Sequence, residues 1–235
     1  PSGPVRTAIV GSATKEKEDQ ATRVKEFMNF YITNVMEDYT PDMDQLLFYL
    51  PLAGSTFKKV YYDEGLGRAV SKFVPAENLV VPYEAADLES CPNVTHVVKM
   101  SLNELRKKQL NGFYLDIPVL PAQSSDGGAL QNELDQLKGI EPSTIDYDCT
   151  LLECHVDLDI EGFEDTGENG EATGIKIPYV VTISQDNGQI LSIRRNYRDD
   201  DEQKKKIQYF VHYKFLPGFG FYGLGLIHTI GGLSR

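Results

Sequence analysis

A dense run of glycine and aromatic residues is the first feature with possible chemistry. Residues 218–225, called the glycine turn below, contain a G-x-G-x-x-G pattern at Gly218, Gly220 and Gly223. In dinucleotide sites such glycines let the backbone approach a pyrophosphate at a helix N-terminus. Here the flanking strands look antiparallel, and Pro217 interrupts the junction of strand and turn. We therefore prefer a tight turn in which glycines admit another backbone, with a nucleotide-binding protein as the alternative.

Acidic residues with the spacing of a calcium loop are the second feature. Asp157, Asp159 and Glu161 stand at its first, third and fifth positions, Gly162 at the sixth and Glu168 at the twelfth. Calcium binding needs several hard oxygens around a sharp turn, which this spacing could supply. A strand leads into this loop, whereas an EF-hand loop follows a helix. An acidic, solvent-exposed hairpin loop is the preferred interpretation, and a calcium-stabilised β module is the alternative.

Histidine and cysteine residues do not form a recognisable catalytic set. The four histidines are scattered, and three of them fall in predicted strands: His96, His155 and His212, with His228 near the end. Cys154 is adjacent to His155, so in a strand the two side chains point to opposite faces. The sequence also lacks G-x-S-x-G, P-loop and H-E-x-x-H motifs. We predict that the chain is not an enzyme and has neither catalytic residues nor a cofactor.

The first half of the sequence predicts helices followed by a β-hairpin. Apolar residues at helical spacing predict a helix from about Thr14, and Thr40 with Pro41 predicts the start of a second one. Pro51 should end or kink that second helix near residue 50. The period then changes to that of strands at 57–62 and 68–74. The apolar face of the first helix comprises Ala21, Val24, Met28, Tyr31 and Val35.

The middle of the chain predicts a further strand and a short helix. Residues 94–100 are strand-like, and Ser101 with Glu104 has capping-box spacing for a helix that Gly112 should end. Residues 116–128 are rich in Pro, Ser and Gly and predict a loop or hinge. A weak helix is predicted at 130–138.

The last hundred residues predict antiparallel strands. Asn187 and Gly188 form a strong hairpin signal after an apolar face at Ile177, Tyr179, Val181 and Ile183. Further strands are predicted at about 153–158, 189–197 and 206–215, and a helix begins at about 226. The predicted fold is therefore α+β, with N-terminal helices followed by a mainly antiparallel sheet with hairpins. Its predicted segments are 1–115, 116–148, 149–217 and 218–235.

The composition of the chain indicates which kinds of partner and environment are disfavoured. The net charge is −12, whereas proteins that grip nucleic acid usually have a basic surplus, so sequence-specific DNA binding is disfavoured. No apolar run approaches the roughly 20 residues of a membrane span. Three cysteines, Cys91, Cys149 and Cys154, fit buried thiols in a reducing compartment. Because the sequence starts at Pro1 without a Met, we expect it to be a piece of a longer protein.

Six stretches, in order along most of the chain, resemble portal proteins of short-tailed bacteriophages. The two long early runs are the more specific, and a glycine-rich run completes the set. The stretches are FYLPLAGSTFKKVYY (48–62), FVPAENLVVPY (73–83), GFED (162–165), ILSIRRN (190–196), FVHY (210–213) and LPGFGFYGLGLIH (216–228).

The resemblance implies a head-to-tail connector in the virion, assembled in the host cytoplasm. Members of the family form dodecameric rings at one capsid vertex, through which a terminase motor pumps DNA that later leaves by the same channel. This chain would correspond to the wing, the outer α+β body of the subunit. Implied partners are copies of itself, capsid protein, terminase and tail factors, with DNA passing without sequence-specific binding. In members of this family, the contacts with terminase lie mainly in the clip, a region of the subunit outside this segment.

The resemblance also suggests a role for the glycine turn. We predict a junction from the wing to a stem helix, with candidate interface residues Gly218, Phe219, Gly220, Phe221, Tyr222 and Gly223. Large aromatic side chains beside glycines need burial, so at least one of the three should be buried. Replacing Gly220 with Val should impair assembly or folding rather than any catalytic step, because a β-branched residue tolerates a positive φ poorly.

Overall fold

The chain divides into two units, the first of which contains both ends of the sequence. The computed structural model describes residues 3–119, 148–166 and 170–231. The first unit is Pro1–Ala76 with Gln208–Arg235, and the second is Glu77–Ile207. The described residues contain helices and two antiparallel sheets, which confirms the predicted α+β class.

Helix α1, Lys15–Phe30, begins where the sequence predicts it. The side chain of Thr14 accepts a hydrogen bond from the Lys17 amide, and Glu16 and Glu18 lie in the first turn, where the helix dipole favours anions. A π-helical turn, Tyr31–Val35, follows directly. No residue of α1 is buried, and Val24 and Met28 of its apolar face are exposed.

Helix α2, Tyr39–Ala53, corrects two predicted details. It begins after Asp38, so Thr40 lies inside the helix and is not its cap. Pro51 does not end it, because a proline in the last turn removes only one hydrogen bond of the helix. The helix ends instead at Gly54, which adopts a left-handed conformation (φ 83°) and donates its N–H to the Leu50 carbonyl at 2.9 Å.

Three antiparallel strands form the sheet of the first unit. Strand β1, Ser55–Asp63, lies in the centre between β2, Arg68–Pro75, and β8, Phe210–Lys214. The β1–β2 hairpin confirms the prediction, and its turn is held by Asp63 Oδ1, which accepts from the amides of Gly65 and Leu66. A short helix α4, Leu226–Ile230, begins where it was predicted.

Five antiparallel strands form the sheet of the second unit, in chain order. The strands are β3 (Leu79–Val80), β4 (Asn93–Ser101), β5 (Asp148–Leu158), β6 (Ile177–Ser184) and β7 (Ile190–Arg195). A 3-10 turn, Ala76–Asn78, precedes β3, and helix α3, Leu102–Leu110, follows β4. Ser101 caps α3 by accepting from the Glu104 amide, as predicted. Gly188 (φ 67°) forms the predicted β6–β7 turn.

The two faces of this sheet carry separate apolar clusters. Residues at alternate positions of a strand point to opposite faces, so β5 contributes to both. One cluster consists of Met100, Leu105, Tyr114, Cys149, Leu151 and Leu191. The other is centred on Ile177, Tyr179 and Val181, with Ile183 packed against them, which confirms the predicted apolar face of β6.

The two units do not follow the four predicted segments. Their boundaries fall after Ala76 and before Gln208, whereas the sequence suggested 115, 148 and 217. The reason is the pairing of β8 with β1, which joins residues 210–214 to residues 55–59. The predicted weak helix at 130–138 and most of the hinge lie outside the described residues.

Candidate functional site

The glycine turn is closed by a pair of backbone hydrogen bonds. The amide of Leu216 donates to the carbonyl of Leu224 at 3.2 Å, and the Leu224 amide returns a bond to Leu216 at 2.8 Å. Gly225 then begins α4, and its N–H donates to Nδ1 of His228 at 3.0 Å. These contacts fix both ends of the turn between β8 and α4.

Two glycines of the turn touch the backbone at the end of α2. A Cβ atom on Gly223 would lie 2.6 Å from the Gly54 carbonyl oxygen. A Cβ on Gly225 would overlap the Leu52 carbonyl oxygen, and one on Gly54 would overlap the Gly225 nitrogen. No side chain fits between these backbones. The finding confirms that glycines in this turn permit close approach of another backbone.

Gly220 does not have the role that the sequence suggested. Its φ is not positive, and a Cβ atom there would meet nothing within 4 Å. The expectation that Gly220→Val strains the backbone is therefore wrong in its premise. The constrained glycines of this region are Gly54, Gly218, Gly223 and Gly225, each of which would bring a Cβ atom within 2.7 Å of a backbone atom.

Aromatic rings anchor the turn on the sheet. Phe221 is buried, which confirms the prediction that one aromatic of the turn would be, while Phe219 is fully exposed. The ring centroid of Phe221 lies 4.8 Å from that of His212 and 5.9 Å from that of Phe57. His212 in turn lies 4.4 Å from Phe57. The three rings form one cluster in which Phe57 is completely buried.

Ser55 links the turn to this ring cluster. Its buried hydroxyl oxygen accepts a hydrogen bond from the Gly223 amide at 2.7 Å and lies 3.1 Å from Nε2 of His212. Burial, with a smaller effect of the Lys214 charge, lowers the pKa of His212 to about 4. The ring is therefore neutral at pH 7, when Nε2 can accept a hydrogen bond from the Ser55 hydroxyl.

The geometry of the glycine turn differs from that of a dinucleotide-binding site. In a dinucleotide site the glycine backbone faces a phosphate, whereas Gly223 here faces the Gly54 backbone. The strand before the turn, β8, belongs to an antiparallel sheet, and α4 has only five residues. These features favour a structural turn.

The acidic loop contains only part of the expected calcium arrangement. Gly162 has a φ of 84°, so the sharp turn lies at the predicted position. Asp157 belongs to β5, with one buried carboxylate oxygen that has no hydrogen-bond partner in the described chain, and Asp159 and Glu161 follow the strand. Glu168 lies outside the described residues. Within residues 3–119, 148–166 and 170–231, no three His, Cys, Asp or Glu side chains converge in a way that could hold a metal ion.

The cysteines and histidines lie where the strand pattern placed them. Cys91 and Cys149 are buried free thiols, and Cys154 is partly buried. His155 is buried, and its Nε2 lies 2.8 Å from Glu153 Oε1. Cys154 directly precedes His155 in β5, so its side chain points to the other face of the sheet.

Lys58 is a buried charge that the sequence did not reveal. Its side chain is 2% exposed, and its Nζ lies 4.4 Å from the centre of the Tyr39 ring, with no hydrogen-bond partner among the described residues. Burial lowers the pKa of Lys58, and the nearby Asp42 carboxylate opposes that shift. The residue alternates with Phe57 in β1, and strand alternation alone gives no sign that it is buried.

Comparison with known proteins found no match to any family model or any curated protein. Of the helices in the described residues, none combines the length and apolar character that crossing a membrane requires.

Proposed function

We propose that this chain is a segment of the wing of a bacteriophage portal subunit. Its role is mechanical: it holds neighbouring subunits and capsid protein in a ring through which DNA is packaged and ejected. The complete protein would meet terminase and tail factors and would let DNA pass without reading its sequence. The proposal includes a virion location and assembly in the host cytoplasm.

The observation that supports this proposal most is the meeting of separated portal-like runs in one packed junction. The run 48–62 is separated by 147 residues (63–209) from the neighbouring runs 210–213 and 216–228. In the first unit they contact one another through Gly54 and Gly225, Ser55 and Gly223, and Phe57, His212 and Phe221. Three of the six portal-like runs thus belong to one packed part of the first unit.

The form of this junction suits a mechanical role. Backbones in direct contact and a ring cluster with Phe57 and Phe221 buried leave little freedom in the path from β8 to α4. Such a junction would set the direction in which the chain continues. We propose that it aims the chain from the wing toward a stem helix of the portal subunit.

Sedimentation velocity of the full-length protein tests the proposal. A portal subunit should form a discrete species of about twelve copies, whereas a monomer at high protein concentration would contradict a ring. Thermal unfolding of the same sample tests the alternatives. A clear rise of Tm with NAD or ATP would favour a nucleotide-binding protein, because a ligand that binds only the native state stabilises it. A fall of Tm with chelator, reversed by calcium, would favour the calcium-stabilised module at residues 157–168.

A further inference from the structure

The glycine turn is held to the sheet by two hydrogen bonds that share the Ser55 hydroxyl. The Gly223 amide donates to the Ser55 hydroxyl oxygen at 2.7 Å, and the hydroxyl can in turn donate a hydrogen bond to Nε2 of His212 at 3.1 Å. This order requires a neutral imidazole with Nε2 unprotonated. A proton on Nε2 would make the ring a donor toward Ser55, and the hydroxyl would then need a different acceptor.

Few groups around His212 could stabilise a positive charge on its ring. On the same sheet face, β8 presents Lys214, β1 presents Lys59 and β2 presents Lys72, as the strand register places them. The turn contributes Tyr222, whose pKa burial raises, and α4 contributes His228, which is bonded to the Gly225 amide. The carboxylate of Asp63 shares this face but lies six residues beyond Phe57, at the hairpin end of β1.

The end of α2 supplies no counter-charge either. Its last nine residues, 45–53, contain no charged side chain. Stacking on Phe57 and Phe221 gives an imidazolium some cation–π stabilisation. Desolvation outweighs that gain, because burial is the main cause of the lowered pKa of His212.

We propose that Ser55, Phe57, His212 and the glycine turn form a latch that is closed while His212 is neutral and opens when this ring gains a proton. Opening would release the turn and α4 from the sheet and expose the faces of Phe57 and Phe221. The latch is a conformational device of the first unit and does not depend on the proposed portal function.

The pH window follows from linkage. The pKa of His212 is about 4 in the closed form, below its ordinary value of 6.5. A lowered histidine pKa means that stability is complete above the ordinary value and is lost as pH falls toward the lowered one. The latch should therefore weaken between pH 6.5 and 4. The upper part of this window lies above the ordinary range of carboxylate titration.

Hydrogen exchange of the Gly223 amide, followed by NMR on the 235-residue chain, tests the latch. Each rate is divided by the intrinsic rate at the same pH, which gives a protection factor. Linkage sets an upper limit of roughly 30-fold for the loss of protection between pH 7.5 and pH 5, and partial burial of the ring reduces our expectation to on the order of ten-fold. Amides of β5 and β6 serve as a reference in the second unit.

Two variants make the result specific. His212→Gln keeps a neutral side chain at all pH values, so its Gly223 protection should change less than about two-fold over the same range. His96→Gln removes a histidine of the second unit and should behave as the wild type. Equal loss of protection in His212→Gln, or no loss in the wild type, would overturn the latch. Should His212→Gln fail to fold, a wild-type His212 pKa at or above 6.5, measured by NMR titration, would overturn it as well.

Discussion

Replacing Gly225 with Ala tests the packing of the junction without straining the backbone. Gly225 has φ −103° and ψ 178°, a conformation that alanine adopts readily. The added methyl group would overlap the Leu52 carbonyl oxygen and lie 2.6 Å from the Gly54 nitrogen, and both are backbone atoms that cannot rotate away. Overpacking of this kind costs about 1–3 kcal/mol. The smaller entropy of the unfolded alanine chain returns roughly 0.4–1 kcal/mol, so we expect a net loss of about 1–2 kcal/mol.

Urea unfolding, monitored by hydrogen exchange at the level of peptides, measures the loss of unfolding free energy in the first unit separately from the second. Peptides from β1 report on the first unit, and peptides from β6 in the second unit provide an internal reference. In a thermal scan the same loss corresponds to a fall in Tm of roughly 5–15 °C for a domain of about 100 residues. Gly220→Ala is the matched control, because a Cβ there meets nothing within 4 Å. If both variants unfold within about 0.5 kcal/mol of each other, the packing argument is refuted.

Two further substitutions test other parts of the account. Lys58→Met should raise the stability of the first unit by about 1 kcal/mol, because it removes a buried ammonium group and keeps most of the side-chain volume. Lys72→Met, at an exposed position of β2, is its control. If Lys58→Met is less stable than the wild type in urea, the charge of Lys58 is compensated in the folded protein. Ser101→Ala should lower the stability of the second unit by about 1 kcal/mol through loss of the cap on the Glu104 amide. An unchanged urea midpoint for Ser101→Ala would mean that the cap contributes nothing.

Local signals predicted much of the secondary structure. Thr14 and Ser101 begin helices because their side chains satisfy amides within the next three residues, an interaction that sequence spacing reveals. Gly188 marks its hairpin because the turn requires a positive φ. These features depend on neighbours in the sequence, so the one-dimensional pattern contains the relevant information.

The contacts that build the candidate site depend on residues far apart in the sequence. Pairing of β8 with β1 leaves no periodic signal, so neither the division into two units nor the contact of Gly54 with Gly225 was predicted. The glycine run indicated that close contacts exist but not which glycines make them, and Gly220 was the wrong choice. Lys58 is buried because α2 covers that face of β1, which strand alternation alone does not indicate.

Cryo-electron microscopy of the full-length protein is the most direct test of the portal proposal. The proposal predicts closed rings, twelvefold in the family that the chain resembles, with residues 3–119, 148–166 and 170–231 in the outer body of each subunit. It also predicts that the chain passes from β8 through the glycine turn into a helix directed toward the channel. Monomers or dimers without rings at high concentration would contradict the proposal, as would rings in which the glycine turn lies at the outer rim and leads away from the channel.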